Sequence, residues 1–415
     1  MENSEAQIRR LGNQRRVALE LISNLPELLT SRGSFSRELN RRFRENSRFG
    51  SKDRRLYREL VYTYLRYETW LAPLSLYPDK LLDTLITLAS PTPEIVPLLA
   101  TVDESIPQDG SLSNRHRLIG KSDEELAVLL PDWFDSHFAG NLDLDNLRSL
   151  FSRPPLWARA QKGNAEQIVT QLRSEIDSTR EQPYVHTIIP NAIHCPTDYP
   201  VQKCTAYQEG EIEIQDISSQ ALLQLIDPLP KGDWFDACAG AGGKTLQLAQ
   251  MLGSAGRVFA YDPRSRALDE LIQRTKRSGL RNISAIRNPP AGRLFTGVLV
   301  DAPCSGSGTW RRHPFLMRQT LETDIFEFGE TQLELLRTYA PSVSPGGILA
   351  YCTCSLSRHE NQSVAARFLK AHPEFTHKPL AERFGLKEDG LGITVLPHDF
   401  DGDGLYIATF KRDDS

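Results

Sequence analysis

From Asp216 onward, short apolar runs alternate with segments of helical periodicity, and this alternation constrains the fold more than any other feature of the chain. Trp234-Phe235 precedes a helical stretch over residues 244–252, and residues 257–261 precede another over 267–278. Residues 298–300 lead through a loop to a long helix over 322–339, and residues 348–351 lead to a helix over 361–371. Strands that alternate with helices imply a largely parallel sheet covered on both faces. Ligands of such sheets bind at the carboxyl ends of the strands. Three chemistry-bearing segments fall there: a Gly-rich turn after Asp236, the run Asp301-Ala-Pro-Cys304, and the run Cys352-Thr-Cys354.

The turn reads Asp236-Ala-Cys-Ala-Gly-Ala-Gly-Gly-Lys-Thr245. Its glycines let the backbone turn tightly and approach a ligand closely. The helix N-terminus behind it favours an anionic or strongly polar group. Asp262, at the end of the next strand, is placed to accept hydrogen bonds from a ribose. Gly-Gly-Lys-Thr245 also imitates a P-loop, but that motif needs glycine at position 238, where this chain has cysteine. A P-loop-like NTPase, with Asp301 as its acidic strand end, is therefore one competing expectation. Asn288-Pro-Pro-Ala291 imitates the Asn-Pro-Pro-aromatic motif of exocyclic amine methylation, but the aromatic is missing and the expected strand comes later. It is read as a turn.

The thiols point to covalent chemistry. Carbon 5 of cytosine is a poor nucleophile, and a thiolate adding at carbon 6 turns the ring into an enamine-like species that attacks an electrophilic methyl. A free cysteine, with pKa about 8.5, is only slightly ionised at neutral pH, so the site must assist. Asp301 is placed to hydrogen-bond the base near N3 and its amino group, stabilising charge that builds during addition. An adenosine cofactor, S-adenosyl-L-methionine, suits the Gly-rich turn, and nothing in NTP hydrolysis explains paired thiols. Spacing alone does not order the roles of Cys304 and Cys354. Cys195, Cys204, Cys238 and Cys352 are expected to be core residues.

The remainder of the chain looks like support. Residues 7–141 read as helical, with apolar residues at three- and four-residue spacing over 16–23, 56–66 and 79–88. Ser51 or Asp53 is expected to cap the second of these, and Pro91 and Pro93 to end the third. Residues 165–175 read as a helix, and 185–189 and 211–215 as short strands, in a small α+β unit. Net charge is −4, yet Arg9, Arg10, Arg15, Arg16, Arg37, Arg41, Arg42, Arg44, Arg48, Lys52, Arg54 and Arg55 crowd the N-terminal stretch. Such a face fits either a phosphate partner or a solvated helix surface laced with Glu20, Glu27, Glu38 and Glu45. Six scattered cysteines without a C-x-x-C pair argue against a disulfide scaffold and a structural zinc site. With no signal-like N-terminus and no apolar run of membrane-spanning length, the chain is expected in the cytoplasm with reduced thiols.

Asp301-Ala-Pro-Cys-Ser-Gly306 and Thr353-Cys-Ser355 resemble the paired motifs of the RsmB/Sun/Nop-type RNA cytosine-5 methyltransferases. Gln215-Asp-Ile-Ser-Ser-Gln220, Gly242-Gly-Lys-Thr245, Arg311-Arg-His-Pro314, Leu396-Pro-His-Asp399 and Asp401-Gly-Asp-Gly404 are similar to that family too, especially its bacterial RsmB-like members. Asp53-Arg-Arg-Leu-Tyr-Arg-Glu-Leu-Val-Tyr62 adds a resemblance to the family's NusB-like domain. The resemblance implies an all-α NusB-like docking domain over 1–145, a small α+β RRM-like domain over 150–212, and an α/β Rossmann-like methyltransferase domain with a mostly parallel sheet over 213–415. It implies Cys354 as nucleophile, Cys304 as the thiol that aids product release, and Asp301 and Lys244 in the active site. The cofactor-binding set is Asp236, Cys238, Ala239, Gly240, Gly242, Gly243, Lys244, Asp262, Arg266, Asn288 and Asp301, with no metal. The implied substrate is an unpaired or extruded cytosine in RNA, ribosomal RNA above all, and the chain is expected to act as a monomer. Trp310, Arg311, Arg312 and His313 are expected to hold the flanking RNA backbone. Two departures stand out: Gly240-Ala241 replaces the family's Ala-Pro, and Asn288 stands where an adenine-contacting Asp is usual. The altered turn leaves a catalytically weak or inactive RNA-binding assembly factor on the same fold as a further expectation.

Overall fold

The computed structural model describes residues 2–30, 35–102, 111–176, 182–197, 199–227, 229 and 231–414. The chain forms two compact units, and neither is continuous in sequence. One comprises residues 1–135, 142–153 and 310–320; the other comprises 136–141, 154–309 and 321–415.

The first unit is helical. Its main helices are Glu2–Ser23, Phe35–Glu45, Ser51–Arg66 and Pro78–Leu88, close to where the periodicity predicts them. The third is capped from within: the Asp53 carboxylate accepts the Gly50 N–H at 3.1 Å, while Ser51 is simply the first helical residue. Several of the clustered arginines are tied to carboxylates, Arg15 to Asp83, Arg41 to Glu38 and Glu45, and Arg55 to Glu94. Arg16, paired with Glu20, and Arg42, paired with Glu27 and Glu38, line a cavity of about 570 Å³ together with Arg10, Arg48, Glu20 and Asp53.

The segment 310–320 completes this unit. The Phe315 ring stacks on Phe35 with centroids 4.8 Å apart. Arg318 donates to the Leu65 carbonyl and pairs with Glu68, at 2.9 and 3.1 Å. Arg66 donates to the Arg311 carbonyl at 2.8 Å, and Arg311 donates to Ser152 Oγ at 2.6 Å. Trp310 and Arg311 are buried. The expectation that this run holds RNA backbone is therefore corrected for these two side chains: Arg311 spends its guanidinium inside the helical unit.

The second unit carries two sheets. In the smaller, β1 (Leu156–Ala160), β2 (Tyr184–Val185), β3 (Ala192–Cys195) and β4 (Ile212–Ile214) run antiparallel in the order β2-β3-β1-β4. The helix Ala165–Glu175, capped by Asn164, covers it through Ile168, Val169 and Leu172. Cys195 and Cys204 are buried in this core, as expected.

The larger sheet contains β5 (Trp234–Asp236), β6 (Val258–Ala260), β7 (Ile283–Ala285), β8 (Phe295–Asp301), β9 (Val343–Thr353), β10 (Phe375–His377), β11 (Ile393–Val395) and β12 (Leu405–Arg412). Its order is β10-β12-β9-β8-β5-β6-β7, with β11 on β12. The strands β5 to β9 are parallel, and β10, β11 and β12 join antiparallel at one edge. Side chains alternate between faces, as the pleat requires. Trp234, Val258, Leu299 and Ile348 pack on one side with Leu222 and Leu248. Phe235, Phe259, Val298 and Leu349 pack on the other with Leu333, Leu336 and Phe368. Where β8 passes Trp234, a Cβ on Gly297 would lie 2.3 Å from the indole, so the register needs glycine there. The chain leaves β5 toward β7 and returns to the other side of β5 as β8. That switch point places the ends of β5, β8 and β9 side by side.

Among the described residues, no helix is long and apolar enough to cross a membrane, and no group of three His, Cys, Asp or Glu is arranged to hold a metal.

Residues 154–415 produced alone would expose the buried faces of Trp310, Phe315 and Met317. We expect that fragment to aggregate, and co-expression with residues 1–153 to restore soluble material, measured by size-exclusion chromatography.

Candidate active site

The Gly-rich turn leaves β5 at Asp236 and enters the helix Gly243–Leu252. Gly240 and Gly242 have φ of 53° and 93°, in the left-handed region that favours glycine. A Cβ on Gly242 would also meet Leu271 at 2.8 Å. Asp236 is buried and accepts the Thr245 hydroxyl at 2.6 Å. Burial pushes its carboxyl up to about 7. Thr245 is fully enclosed by this bond, so its hydroxyl is not presented to a metal–phosphate group, which weighs against the NTPase reading.

Asp262 follows β6 and faces the turn. It accepts the Gly240 N–H at 2.9 Å and the Arg264 N–H at 2.9 Å, and is gripped by the Arg264 guanidinium at 2.8 Å. Burial alone would raise its carboxyl, but these bonds outweigh burial and hold it below the usual carboxylate value. The Arg264 side chain that grips it is 73% exposed.

Lys244 crosses to the end of β8, where its ammonium pairs with Asp301 at 2.8 Å. Burial opposes the charge, yet Asp301 and the neighbouring thiols Cys352 and Cys354 raise the Lys244 pKa above its ordinary value. Beyond Asp301 the loop carries Cys304; beyond β9 the chain carries Cys354. The two sulfurs lie 3.2 Å apart, both partly buried and neither in a disulfide. The Cys304 thiol is raised well above its ordinary value, first by its hydrogen bond with Cys354, then by burial and by the charges of Cys354 and Glu360. Cys352 is wholly buried among apolar residues. Cys238 packs partly against the core of the other face, and burial pushes its thiol up.

The structure thus brings Asp236, Gly240, Gly242, Gly243, Lys244, Asp262, Asp301, Cys304 and Cys354 to one end of the sheet. Ala239 is buried beneath the turn. Arg266 lines a groove with Tyr207, Glu213 and Arg274, while Arg264 is the arginine at Asp262. Asn288 is exposed in the bend after β7, consistent with reading that segment as a turn.

Two matched motifs are scaffolding. Asp216 caps the helix Ile217–Gln224 and accepts the Asp403 N–H at 3.0 Å. Gly404 donates to the Gly308 carbonyl at 2.8 Å, and a Cβ on Gly308 would lie 1.9 Å from the Gly404 carbonyl oxygen. Sequence reasoning missed the polar residues that hold the thiol loops, Gln332, Glu360 and Asn361. A Glu-Asn pair six residues beyond Cys354, in a stretch that reads as the start of a helix, was the available signal.

Residues 223–411 match the family model described as 16S rRNA methyltransferase RsmB/F. The chain is similar to ribosomal RNA small subunit methyltransferase B of Enterobacter sp. (strain 638), 28% identical over 306 residues, covering 70% of this chain and 68% of that one. It is also similar to probable ribosomal RNA small subunit methyltransferase B of Bacillus subtilis (strain 168), 35% identical over 219 residues; that match covers 50% of this chain and 49% of the relative. Among solved structures, the crystal structure of PH0851 shares the fold with TM-score 0.72 and 23% identity, over 96% of this chain and 98% of that one. NSun6 from Pyrococcus horikoshii with SFG shares it with TM-score 0.54 and 16% identity, over 65% and 93%.

The raised Asp236 carboxyl fixes a sign. Its contribution to stability is complete below the unfolded value of 3.8 and is lost as pH rises to about 7. Asp236→Asn is expected to remove that slope, worth a few kcal/mol, in urea unfolding followed from pH 4 to 8.

Proposed function

On the premise that residues 223–411 form a methyltransferase domain of the RsmB/F family, we propose that this chain methylates carbon 5 of a cytosine in ribosomal RNA through a covalent cysteine intermediate. The observation that carries the reading is the 3.2 Å approach of Cys304 and Cys354 beside the Lys244–Asp301 pair.

The cofactor of this domain is S-adenosyl-L-methionine, which supplies an electrophilic methyl when bound. The residues present fit it: a turn with two left-handed glycines, a helix N-terminus behind it, and Asp262 facing the turn. Cys354 attacks carbon 6 of the cytosine as a thiolate, forming the Sγ–C6 bond. Asp301 accepts the exocyclic amine, and Lys244 holds Asp301 in place. Carbon 5 takes the methyl, a base removes the carbon 5 proton, and the Sγ–C6 bond breaks as the ring double bond returns. Cys304, kept as a thiol against Cys354, assists that release.

The other parts of the chain read as RNA-handling modules. The small sheet runs β-α-β-β-α-β with strand order β2-β3-β1-β4, its second helix being the short Thr205–Gln208. That topology supports an RRM-like domain over 150–212. The helices over 1–145 serve as a NusB-like docking domain, with the cavity lined by Arg10, Arg16, Arg42 and Arg48 as the place for phosphates.

Cys354→Ala is expected to abolish both product and adduct. Cys304→Ala, incubated with cofactor and substrate RNA, is expected to accumulate a protein–RNA adduct visible as a retarded band on denaturing gels. Full activity in Cys354→Ala would overturn the assignment of roles. Arg10→Ala and Arg48→Ala are expected to reduce the log–log salt slope of RNA binding by about 0.7 for each phosphate that the variant no longer neutralises.

A further inference from the structure

Glu360 is a fully buried carboxylate in a turn after β9, and the catalytic reading gives it no role. Its Oε2 accepts the Ser305 N–H at 2.8 Å and the Gln332 side-chain amide at 3.0 Å. Its Oε1 accepts the hydroxyls of Ser305 and Ser355, both at 2.6 Å. Ser305 directly follows Cys304, and Ser355 directly follows Cys354. One carboxylate therefore grips both thiol loops.

Its neighbours close the frame. Gln332, on the helix Glu322–Tyr339, also donates to the Pro303 carbonyl at 3.0 Å, so the Cys304 loop is held on both sides of the sulfur. Asn361 accepts the Thr353 hydroxyl at 2.6 Å and donates to the Ser355 carbonyl at 2.8 Å, bracketing Cys354 in the same way. The Tyr351 hydroxyl donates to Gln332 at 3.0 Å and to the Glu360 carbonyl.

Packing alone does not call for an acid here. A buried carboxylate without a counter-cation carries a heavy desolvation cost, and no cation pairs with Glu360 among the described residues. Four hydrogen bonds partly offset that cost. Burial nonetheless raises the Glu360 carboxyl, and its charge in turn opposes ionisation of Cys304.

We propose that Glu360 is a positioning residue that locks the Cys304 and Cys354 loops to each other. The significance of this rests on the methyl-transfer reading. The arrangement itself is testable without RNA, because the sulfurs report their own separation. Diamide takes two electrons and two protons from a pair of adjacent thiols, becoming the hydrazide as the S–S bond forms, and closure is fast only when the sulfurs already meet.

The experiment compares wild type, Glu360→Ala and Glu360→Gln in full-length protein. It measures diamide closure of Cys304 with Cys354 and steady-state methyl transfer. Glu360→Ala is expected to slow closure about tenfold and lower kcat about a hundredfold, with KM for the cofactor within about twofold of wild type. Glu360→Gln keeps the shape, since the serine hydroxyls rotate to accept its amide. It is expected to restore rapid closure and most of kcat. Wild-type closure in Glu360→Ala, or closure in Glu360→Gln as slow as in Glu360→Ala, would overturn the proposal. Should Glu360→Ala not fold, Ser355→Ala removes one of the gripping hydroxyls and is read by the same closure rate, with slowing expected and no change contrary. A wild-type protein that methylates no cytosine would refute the functional reading, while the thiol measurements would still decide the role of Glu360.

Discussion

The parallel pairing of β8 with β9 is the constraint on which everything at the site depends. Its register sets Val300 opposite Tyr351 and Asp301 opposite Cys352. Cys304 and Cys354 then leave neighbouring strand ends within a few residues of that fixed pair, so their sulfurs have little choice but to meet. A slip of one residue would turn each side chain to the other face. The apolar cores on both faces, with Val298 and Leu349 on one and Leu299 and Ile348 on the other, make that slip costly. The meeting of the two thiols is thus written into a sheet register before any catalytic group is considered.

Around that pair the charges are sorted by depth. Lys244 and Asp301 neutralise each other at the sheet end, and Asp262 is satisfied by Arg264 and the Gly240 amide. Asp236 accepts from the Thr245 hydroxyl and the Cys238 amide and lies in a region that disfavours its ionised form. The result is a sheet end with one firmly held cation beside two thiols.

The sequence was most legible where local pattern and chemistry coincide. Asp301, Cys304, Cys354 and Lys244 end apolar runs or open a helix behind glycines, so their positions follow from alternation alone. The helices Ala165–Glu175 and Glu322–Tyr339 fall on the residues that periodicity selects. Legibility failed where a residue's partner is remote in sequence. Gln332 and Glu360 act through hydrogen bonds across separate elements, which no window of residues displays. Arg311 is expected at the RNA backbone, but its guanidinium is buried and donates to Ser152 inside the helical unit. β1 and β3 escaped notice because Trp157, Arg159 and His194 interrupt the alternation that marks a strand.

The helical unit draws on residues nearly three hundred positions after its first helix, since 310–320 supplies Phe315 to cover Phe35. On a ribosome, the helix Ser51–Arg66 emerges long before that segment exists. At about 5–20 residues per second, the delay is on the order of ten to fifty seconds. For that interval the N-terminal helices carry an uncovered aromatic face, which makes the nascent chain a natural client for chaperones until its own later sequence arrives to seal it.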